Sequence, residues 1–113
     1  GYNMLVNDFR CLSIMRSFGV PVCFDGTHSI QLPTSQGSIS GGQREFIPGL
    51  VRAASSFGID CLFLEVHDDP PRALSDPNTQ LFLRDLEYVL KNAVHMHNSR
   101  KVVFSECKEG EVR

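Results

Sequence analysis

Hydrophobic residues recur along the chain at two spacings, one typical of helices and one typical of buried strands. Residues 3–18 carry a helical stripe made of Leu5, Phe9, Leu12 and Met15. Gly19 follows this stripe, and we expect it to end the first helix in a left-handed backbone conformation. Residues 20–24 form a short apolar run rich in valine, which predicts the first strand.

The same order of helix and strand returns in the second half of the chain. Residues 44–57 predict a second helix, with Pro48 in its first turn and a glycine directly after it. The almost continuously apolar run at 59–66 predicts a strand that is covered on both faces. Residues 83–96 have apolar positions at helical spacing and predict a third helix. The polar residues 97–113 are expected to form a loosely held tail.

Two long polar segments, 26–42 and 67–80, follow the predicted strands. Loops of this length in a compact domain are usually functional or disordered. The spacing also indicates a repeat, because Phe24 and His28 return one strand–helix unit later as Phe63 and His67. We therefore expect two similar units in which a polar loop follows each strand.

Strands that alternate with helices predict parallel βα units in an α/β fold. Such units belong to a barrel or to a doubly wound sheet, and in both folds ligands gather at the carboxyl ends of the strands. Two strands cannot close a barrel, and a complete (β/α)8 barrel needs about 250 residues. We therefore expect the 113 residues, which open on Gly1 rather than Met, to be a piece of a larger protein.

Composition narrows the function further. With 42% hydrophobic and 21% charged residues and a formal net charge of −2, the chain fits an ordinary globular domain. It has no basic stripe for nucleic acid and no apolar run of about 18–20 residues that could span a membrane, so neither partner is expected.

The cysteines indicate a reducing, cytosolic compartment. The four of them form no short metal-binding motif: Cys11, Cys23, Cys61 and Cys107. Cys23 and Cys61 lie inside apolar runs, where we expect them to be buried like small hydrophobic residues. Disulfide pairing is the alternative.

Residues that can bind a metal follow both predicted strands. His28 comes after the first strand, Glu65 ends the second, and Asp76 lies on the loop beyond. One imidazole and two carboxylates suit a divalent ion such as Zn²⁺, Fe²⁺ or Mn²⁺. Alternatively, the two acids are solvated and His28 only forms hydrogen bonds within its loop. The same rim carries three further polar residues, Asp25, Gln31 and His67, which could orient His28 or act as acid or base.

The stretch SGGQRE at 40–45 precedes the second helix. Its two glycines allow the backbone to approach an anion closely, and a helix N-terminus offers free N–H groups. One interpretation is a phosphate bound by Ser40 and Arg44. The other is an ordinary helix cap at Ser40 and an ion pair between Arg44 and Glu45.

Four stretches together resemble the family of 3-deoxy-D-manno-octulosonate 8-phosphate synthases. They are GYNMLVNDFR at 1–10, FDGTHSIQLP at 24–33, SGGQREF at 40–46 and LFLEVHDDPPRALSDPNTQL at 62–81. The resemblance implies the C-terminal part of a TIM (β/α)8 barrel, with its last two strands and last three helices in residues 1–96, followed by a polar tail at 97–113.

The resemblance also implies an activity. That family condenses phosphoenolpyruvate with arabinose 5-phosphate and releases phosphate, forming the sugar acid of lipopolysaccharide in the cytoplasm. Its metal-dependent branch binds a divalent ion through Cys, His, Glu and Asp, and the last three correspond to His28, Glu65 and Asp76. The sequence ALSDPNTQ around Asp76 resembles that branch, whereas the Cys belongs to an upstream region that this chain lacks.

Further site residues follow from the resemblance. It places Ser40 at the sugar phosphate, puts Asp25 and Gln31 in the same pocket, and implies a homotetramer for the full-length protein. We also expect Arg44 to bind the substrate and Asp25, His28 and Gln31 to be the catalytic residues. We expect this chain to be inactive alone. The alternatives are a 3-deoxy-D-arabino-heptulosonate 7-phosphate synthase and a non-catalytic, metal-binding fragment.

Overall fold

The computed structural model describes residues 4–32 and 41–106, with side chains described as far as residue 100. The chain is a mixed α/β structure. Its helices and strands are α1 (Arg10–Arg16), β1 (Cys23–Asp25), β2 (Gln31–Leu32), β3 (Gly41–Gly42), α2 (Ile47–Phe57), β4 (Cys61–Phe63), β5 (Val66–His67), β6 (Leu81–Phe82) and α3 (Leu83–Glu106). Short 3-10 turns occupy His28–Ile30, Arg44–Phe46 and Pro70–Arg72. Ser40 and Cys107 lie outside the described residues.

The central strands β1 and β4 are parallel, as the sequence predicts. Two further strand pairs flank them: β2 and β3 form an antiparallel hairpin, and β5 and β6 pair in parallel. Each sheet in the described part of the chain has two strands, so these residues do not form a closed barrel. None of the helices described between residues 4 and 106 is both long and apolar enough to cross a membrane.

The predicted repeat differs from the strand pairing by one residue. Phe24 lies opposite Leu62 rather than Phe63. Because side chains alternate between the two faces of a strand, one residue of offset exchanges the faces. Phe24 is accordingly buried, whereas Phe63 is 46% exposed. His28 and His67 are therefore not equivalent, and only His28 lies in a 3-10 turn after the central sheet.

The core lies between the helices and one face of the central sheet. One face of α2 contributes Ile47, Val51 and Ala54, all fully buried, and α3 packs against it through Val89. A second cluster of buried residues adjoins this core. In it, Leu12 of α1 and Phe24 of β1 pack with Ala54 of α2.

The opposite face of the central sheet is not covered by the described residues. Cys23, Cys61 and Phe63 are exposed there. The predictions that 59–66 is a strand covered on both faces and that both thiols are buried are therefore wrong for these residues. The physical reason is that all described helices that pack on this sheet lie on the side of Phe24.

Helix ends follow the predicted glycine and proline signals. Gly19 and Gly58 have φ of +77° and +119°, and Pro48 lies in the first turn of α2. The first helix is shorter than predicted and begins at Arg10, whose backbone N–H donates to the carboxylate of Asp8 at 3.0 Å. The third helix continues ten residues past Met96, since an established helix adds polar residues at little cost.

A carboxylate at the start of β4 ties the two central strands together. Asp60 accepts the backbone N–H of Val22 at 2.8 Å and the guanidinium of Arg16 at 3.1 Å. The N–H of Val22 lowers the pKa of Asp60 most; slight burial opposes this, and Arg16 and Arg100 add to the lowering. A carboxyl pKa that is lower in the folded protein stabilises the fold above its unfolded pKa of about 3.9, and this contribution is lost as the pH falls.

We therefore expect the Asp60→Asn protein to lose less stability than the unmodified protein on acidification from about pH 6 to pH 3. Urea unfolding at several pH values measures this difference. Glu87→Gln is the control, since that carboxylate forms only an exposed pair with Lys91 on α3. An equal pH dependence in the unmodified and Asp60→Asn proteins would contradict the role given to this carboxylate.

Candidate functional site

The three predicted metal ligands meet beyond the carboxyl ends of β1 and β4. One ligand atom from each of His28, Glu65 and Asp76 lies within 4.8 Å of the other two. The Nε2 atom of His28 is 3.7 Å from Oε2 of Glu65 and 3.9 Å from Oδ2 of Asp76. These separations are too long for hydrogen bonds, but they suit ligands that share an ion through bonds of about 2.0–2.2 Å.

The local fold places each ligand. His28 opens the 3-10 turn that follows β1, and Glu65 comes directly before β5. Asp76 lies on the loop that leads to β6, in a left-handed conformation with φ of +47° that aspartate tolerates better than most residues. Its carbonyl accepts the N–H groups of Thr79 at 3.0 Å and Gln80 at 3.1 Å, which close this turn.

Asp25 orients the imidazole of His28. Its Oδ2 lies 2.6 Å from Nδ1 of His28, while its Oδ1 accepts the N–H groups of Thr27 and His28. With Nδ1 as the donor, the lone pair of Nε2 faces Glu65 and Asp76 and is available to a metal. Asp25 was predicted either to orient His28 or to act as an acid or base. The contact to Nδ1 supports the orienting role.

Charge around the imidazole changes two pKa values. Hydrogen bonding by Asp25 raises the pKa of His28; burial opposes this, and the charges of Asp25, Glu65 and Asp76 reinforce it. Burial tends to raise the pKa of Asp25, but the backbone N–H and imidazole of His28 and the N–H of Thr27 together lower it. Since only the neutral imidazole binds a metal, an ion at this site would compete with a proton.

Glu65 provides an independent sign that the site fits an ion. Its Oε2 atom is buried and has no hydrogen-bond partner among the described residues. A buried carboxylate oxygen without a partner is costly, and a bound cation would remove that cost. The structure thus brings together a histidine and two carboxylates, one of which has a buried oxygen without a partner, and this donor set suits a divalent cation.

Comparison with known proteins agrees with this arrangement. A model of the DAHP synthetase I family matches residues 1–101. The chain belongs to the DAHP synthetase I family. Among its relatives are three proteins named 2-dehydro-3-deoxyphosphooctonate aldolase. The one from Synechococcus sp. is 50% identical over 99 residues, which is 88% of this chain and 35% of the relative.

The other two relatives are more similar over shorter stretches. The protein from Geobacter metallireducens is 58% identical over 91 residues, covering 80% of this chain and 34% of the relative. The protein from Methylococcus capsulatus is 64% identical over 80 residues, covering 70% of this chain and 28% of the relative. The chain spans about a third of the length of the curated relatives it matches.

Of two more predicted residues, Gln31 contacts Asp76 and Arg44 contacts the segment that follows it. Gln31 donates from Nε2 to Oδ1 of Asp76 at 2.9 Å, which leaves Oδ2 facing His28. Arg44 donates to the backbone carbonyls of Pro77 and Gln80, so its predicted phosphate contact stays a prediction.

His67, the remaining residue of the predicted rim, belongs to a different set of contacts. Its Nδ1 accepts the backbone N–H of Asp69 at 2.9 Å and lies 2.9 Å from the carboxylate of Asp68. His67 is not part of the ligand cluster found among the described residues.

Sequence reasoning missed Thr27, which is fully buried. Its hydroxyl donates to Oδ1 of Asp25 at 3.1 Å and accepts the backbone N–H of Glu65 at 3.2 Å. One side chain therefore connects the partner of His28 to the backbone of a second ligand. The available signal was a small hydroxyl residue between an aspartate and a histidine directly after a strand.

We expect Thr27→Val to weaken metal affinity about 10–100-fold, the usual effect of losing a residue that supports metal ligands. Valine keeps the shape but leaves the N–H of Glu65 without its acceptor. Titration of the metal-stripped protein with Mn²⁺ measures the affinity. Thr27→Ser is the matched control because it retains the hydroxyl. Unchanged binding in Thr27→Val would show that this bridge does not support the ligands.

Proposed function

We propose that this chain provides the metal site and part of the sugar phosphate site of a 3-deoxy-D-manno-octulosonate 8-phosphate synthase. The observation that supports this best is the convergence of His28, Glu65 and Asp76 in a chain 50–64% identical to proteins named for that octonate. The parallel pairing of β1 and β4, with the ligands beyond their carboxyl ends, supports placing these residues in the C-terminal part of a (β/α)8 barrel.

The proposed reaction joins phosphoenolpyruvate to arabinose 5-phosphate. The enol carbon of phosphoenolpyruvate forms a bond with the aldehyde carbon, whose oxygen takes up a proton. Water adds to the neighbouring carbon, and phosphate leaves by cleavage of its bond to that carbon. The products are the eight-carbon sugar acid phosphate and inorganic phosphate.

Each residue of the site has a proposed part in this reaction. His28, Glu65 and Asp76 would hold the divalent ion, Zn²⁺, Fe²⁺ or Mn²⁺, which when bound supplies a Lewis acid for an aldehyde or water oxygen. Asp25 keeps the imidazole of His28 in the tautomer that can bind. The remaining proposed roles are substrate contacts by Gln31 and Ser40, whereas the substrate contact of Arg44 stays a prediction from the sequence.

Other parts of the proposal concern the whole protein. The contacts to phosphoenolpyruvate would come largely from regions of the barrel beyond this chain. A homotetramer in the cytoplasm, implied by the family resemblance, stays a prediction.

The second candidate is the related synthase that uses erythrose 4-phosphate. The DAHP synthetase I family is named for 3-deoxy-D-arabino-heptulosonate 7-phosphate, the product of this second candidate. The relatives, in contrast, are named for the octonate. The stretches THSIQ at 27–31 and SGGQRE at 40–45 also favour the octulosonate synthase. A non-catalytic, metal-binding protein is the third candidate.

A chimeric enzyme tests the three candidates together. This chain replaces the matching third of the Geobacter metallireducens relative, and turnover with phosphoenolpyruvate is measured for both sugar phosphates before and after chelation and metal return. We expect turnover of arabinose 5-phosphate that is lost on chelation and restored by metal. Preference for erythrose 4-phosphate would support the second candidate. A folded chimera inactive with both sugars would support the third.

A further inference from the structure

Arg44 binds the segment that directly follows the metal ligand Asp76. Its Nε and Nη2 atoms donate to the backbone carbonyls of Gln80 and Pro77. Its guanidinium also lies over the ring of Phe82, 4.8 Å from the centroid. A guanidinium presents its donors in a rigid fork, so two carbonyls bound to it are held at a fixed separation.

Gln80, which Arg44 holds through its carbonyl, forms hydrogen bonds to Asp76 and to the residue before it. The backbone N–H of Gln80 donates to the carbonyl of Asp76 at 3.1 Å, and its side-chain amide donates to the carbonyl of Ser75 at 2.8 Å. Asp76 has a φ of +47°, a conformation that residues with side chains rarely adopt without support from their surroundings. Holding Gln80 therefore restrains the backbone on either side of the ligand.

Gly42 brings the strand before Arg44 against the same loop. A Cβ atom at this position would lie 2.4 Å from Cγ2 of Thr79 and 2.8 Å from the carbonyl oxygen of Asn78. Only glycine permits so close an approach. Gly42 also pairs with Gln31, whose side chain donates to Asp76. The hairpin of β2 and β3 and the 3-10 turn after it thus contact this loop at three points.

We propose that Arg44 is a positioning residue that fixes Asp76 in its ligand geometry, a role that rests on the proposed metal function of that carboxylate. It differs from the phosphate contact predicted from the sequence. A phosphate-binding arginine acts on the sugar substrate, whereas a positioning arginine acts on the metal ligand through the backbone of 77–80.

Mn²⁺ titration of the metal-stripped, full-length protein, followed by the electron paramagnetic resonance of the free ion, tests this assignment. We expect Arg44→Met to lower Mn²⁺ affinity about 10–100-fold. The matched control is Arg84→Met, because Arg84 also lies over the ring of Phe82, at 4.1 Å, and its loss leaves both carbonyl contacts of Arg44 in place. Gly42→Ala should weaken Mn²⁺ binding in the same way, since it displaces the loop without removing a charge.

Double variants show whether the effect passes through Asp76. We expect Arg44→Met to have little further effect on Mn²⁺ affinity in an Asp76→Asn protein, but its full effect in a Glu65→Gln protein. Equal losses in both backgrounds would overturn the proposal. So would unchanged Mn²⁺ affinity in both Arg44→Met and Gly42→Ala, together with a raised KM for arabinose 5-phosphate in Arg44→Met.

The Mn²⁺ measurement is independent of turnover. A protein that loses Mn²⁺ affinity as expected but makes no octulosonate would overturn the proposed reaction and support the role of Arg44. Absence of Mn²⁺ binding to the unmodified protein would overturn the positioning role as well.

Discussion

Glu65→Gln is expected to lower the affinity for a divalent metal more than about 100-fold, beyond the loss typical of residues that only support ligands. The buried Oε2 atom of Glu65 has no hydrogen-bond partner among the described residues and lies 3.7 Å from the imidazole of His28. Glutamine keeps the volume of the side chain but removes the negative charge that would hold a cation. Calorimetric titration of the metal-stripped protein measures the loss.

The best control for Glu65→Gln is an acid on the same rim that lies outside the ligand cluster. Asp68 meets this requirement: its side chain is 82% exposed and lies beside His67. Asp68→Asn is expected to leave the metal affinity unchanged. If Glu65→Gln binds metal as tightly as Asp68→Asn does, the three residues do not form a metal site.

Asp25→Asn is expected to weaken metal binding by a comparable factor, although Asp25 is not itself a ligand. Oδ1 of Asp25 accepts three donors, namely the N–H and hydroxyl of Thr27 and the N–H of His28. In asparagine the single oxygen must stay on that side, so its NH₂ group faces Nδ1 of His28. Nδ1 then has to accept, and the ring proton moves to Nε2, where it blocks the metal.

Two measurements check the effect of Asp25→Asn. Nitrogen chemical shifts of His28 in the metal-free protein report the tautomer, and metal titration reports the affinity. We expect the tautomer with the proton on Nε2, together with an affinity loss of about 100-fold. An unchanged tautomer with weakened binding would assign the loss to charge alone, and unchanged affinity would contradict the orienting role.

The convergence of the candidate ligands could be predicted from the sequence because their positions depend on the strands. Parallel strands bring their carboxyl ends to one edge, so polar residues directly after apolar runs converge there. His28 and Glu65 follow β1 and β4, and their meeting requires little more than parallel pairing. Asp76 could be named from its place on the loop after the second strand, but the turn that brings it to His28 could not, since it passes through a left-handed residue that no periodicity indicates.

Other features depend on contacts that no local pattern contains. The orientation of the Arg44 side chain is set by hydrogen bonds to backbone carbonyls more than thirty residues away along the chain. The bridge through Thr27 requires the loop after β1 to reach the end of β4. The exposure of Cys23 and Cys61 depends on what packs on each face of the sheet, whereas an apolar run only indicates that burial is favourable.

Phe63 links the open face of the central sheet to the candidate metal ligand His28. Its ring is 46% exposed and stacks on the imidazole of His28, with centroids 6.1 Å apart. Any polypeptide segment laid over this face would also form the wall beside that imidazole. The amino acids of such a segment would therefore set how much water reaches the ring of His28.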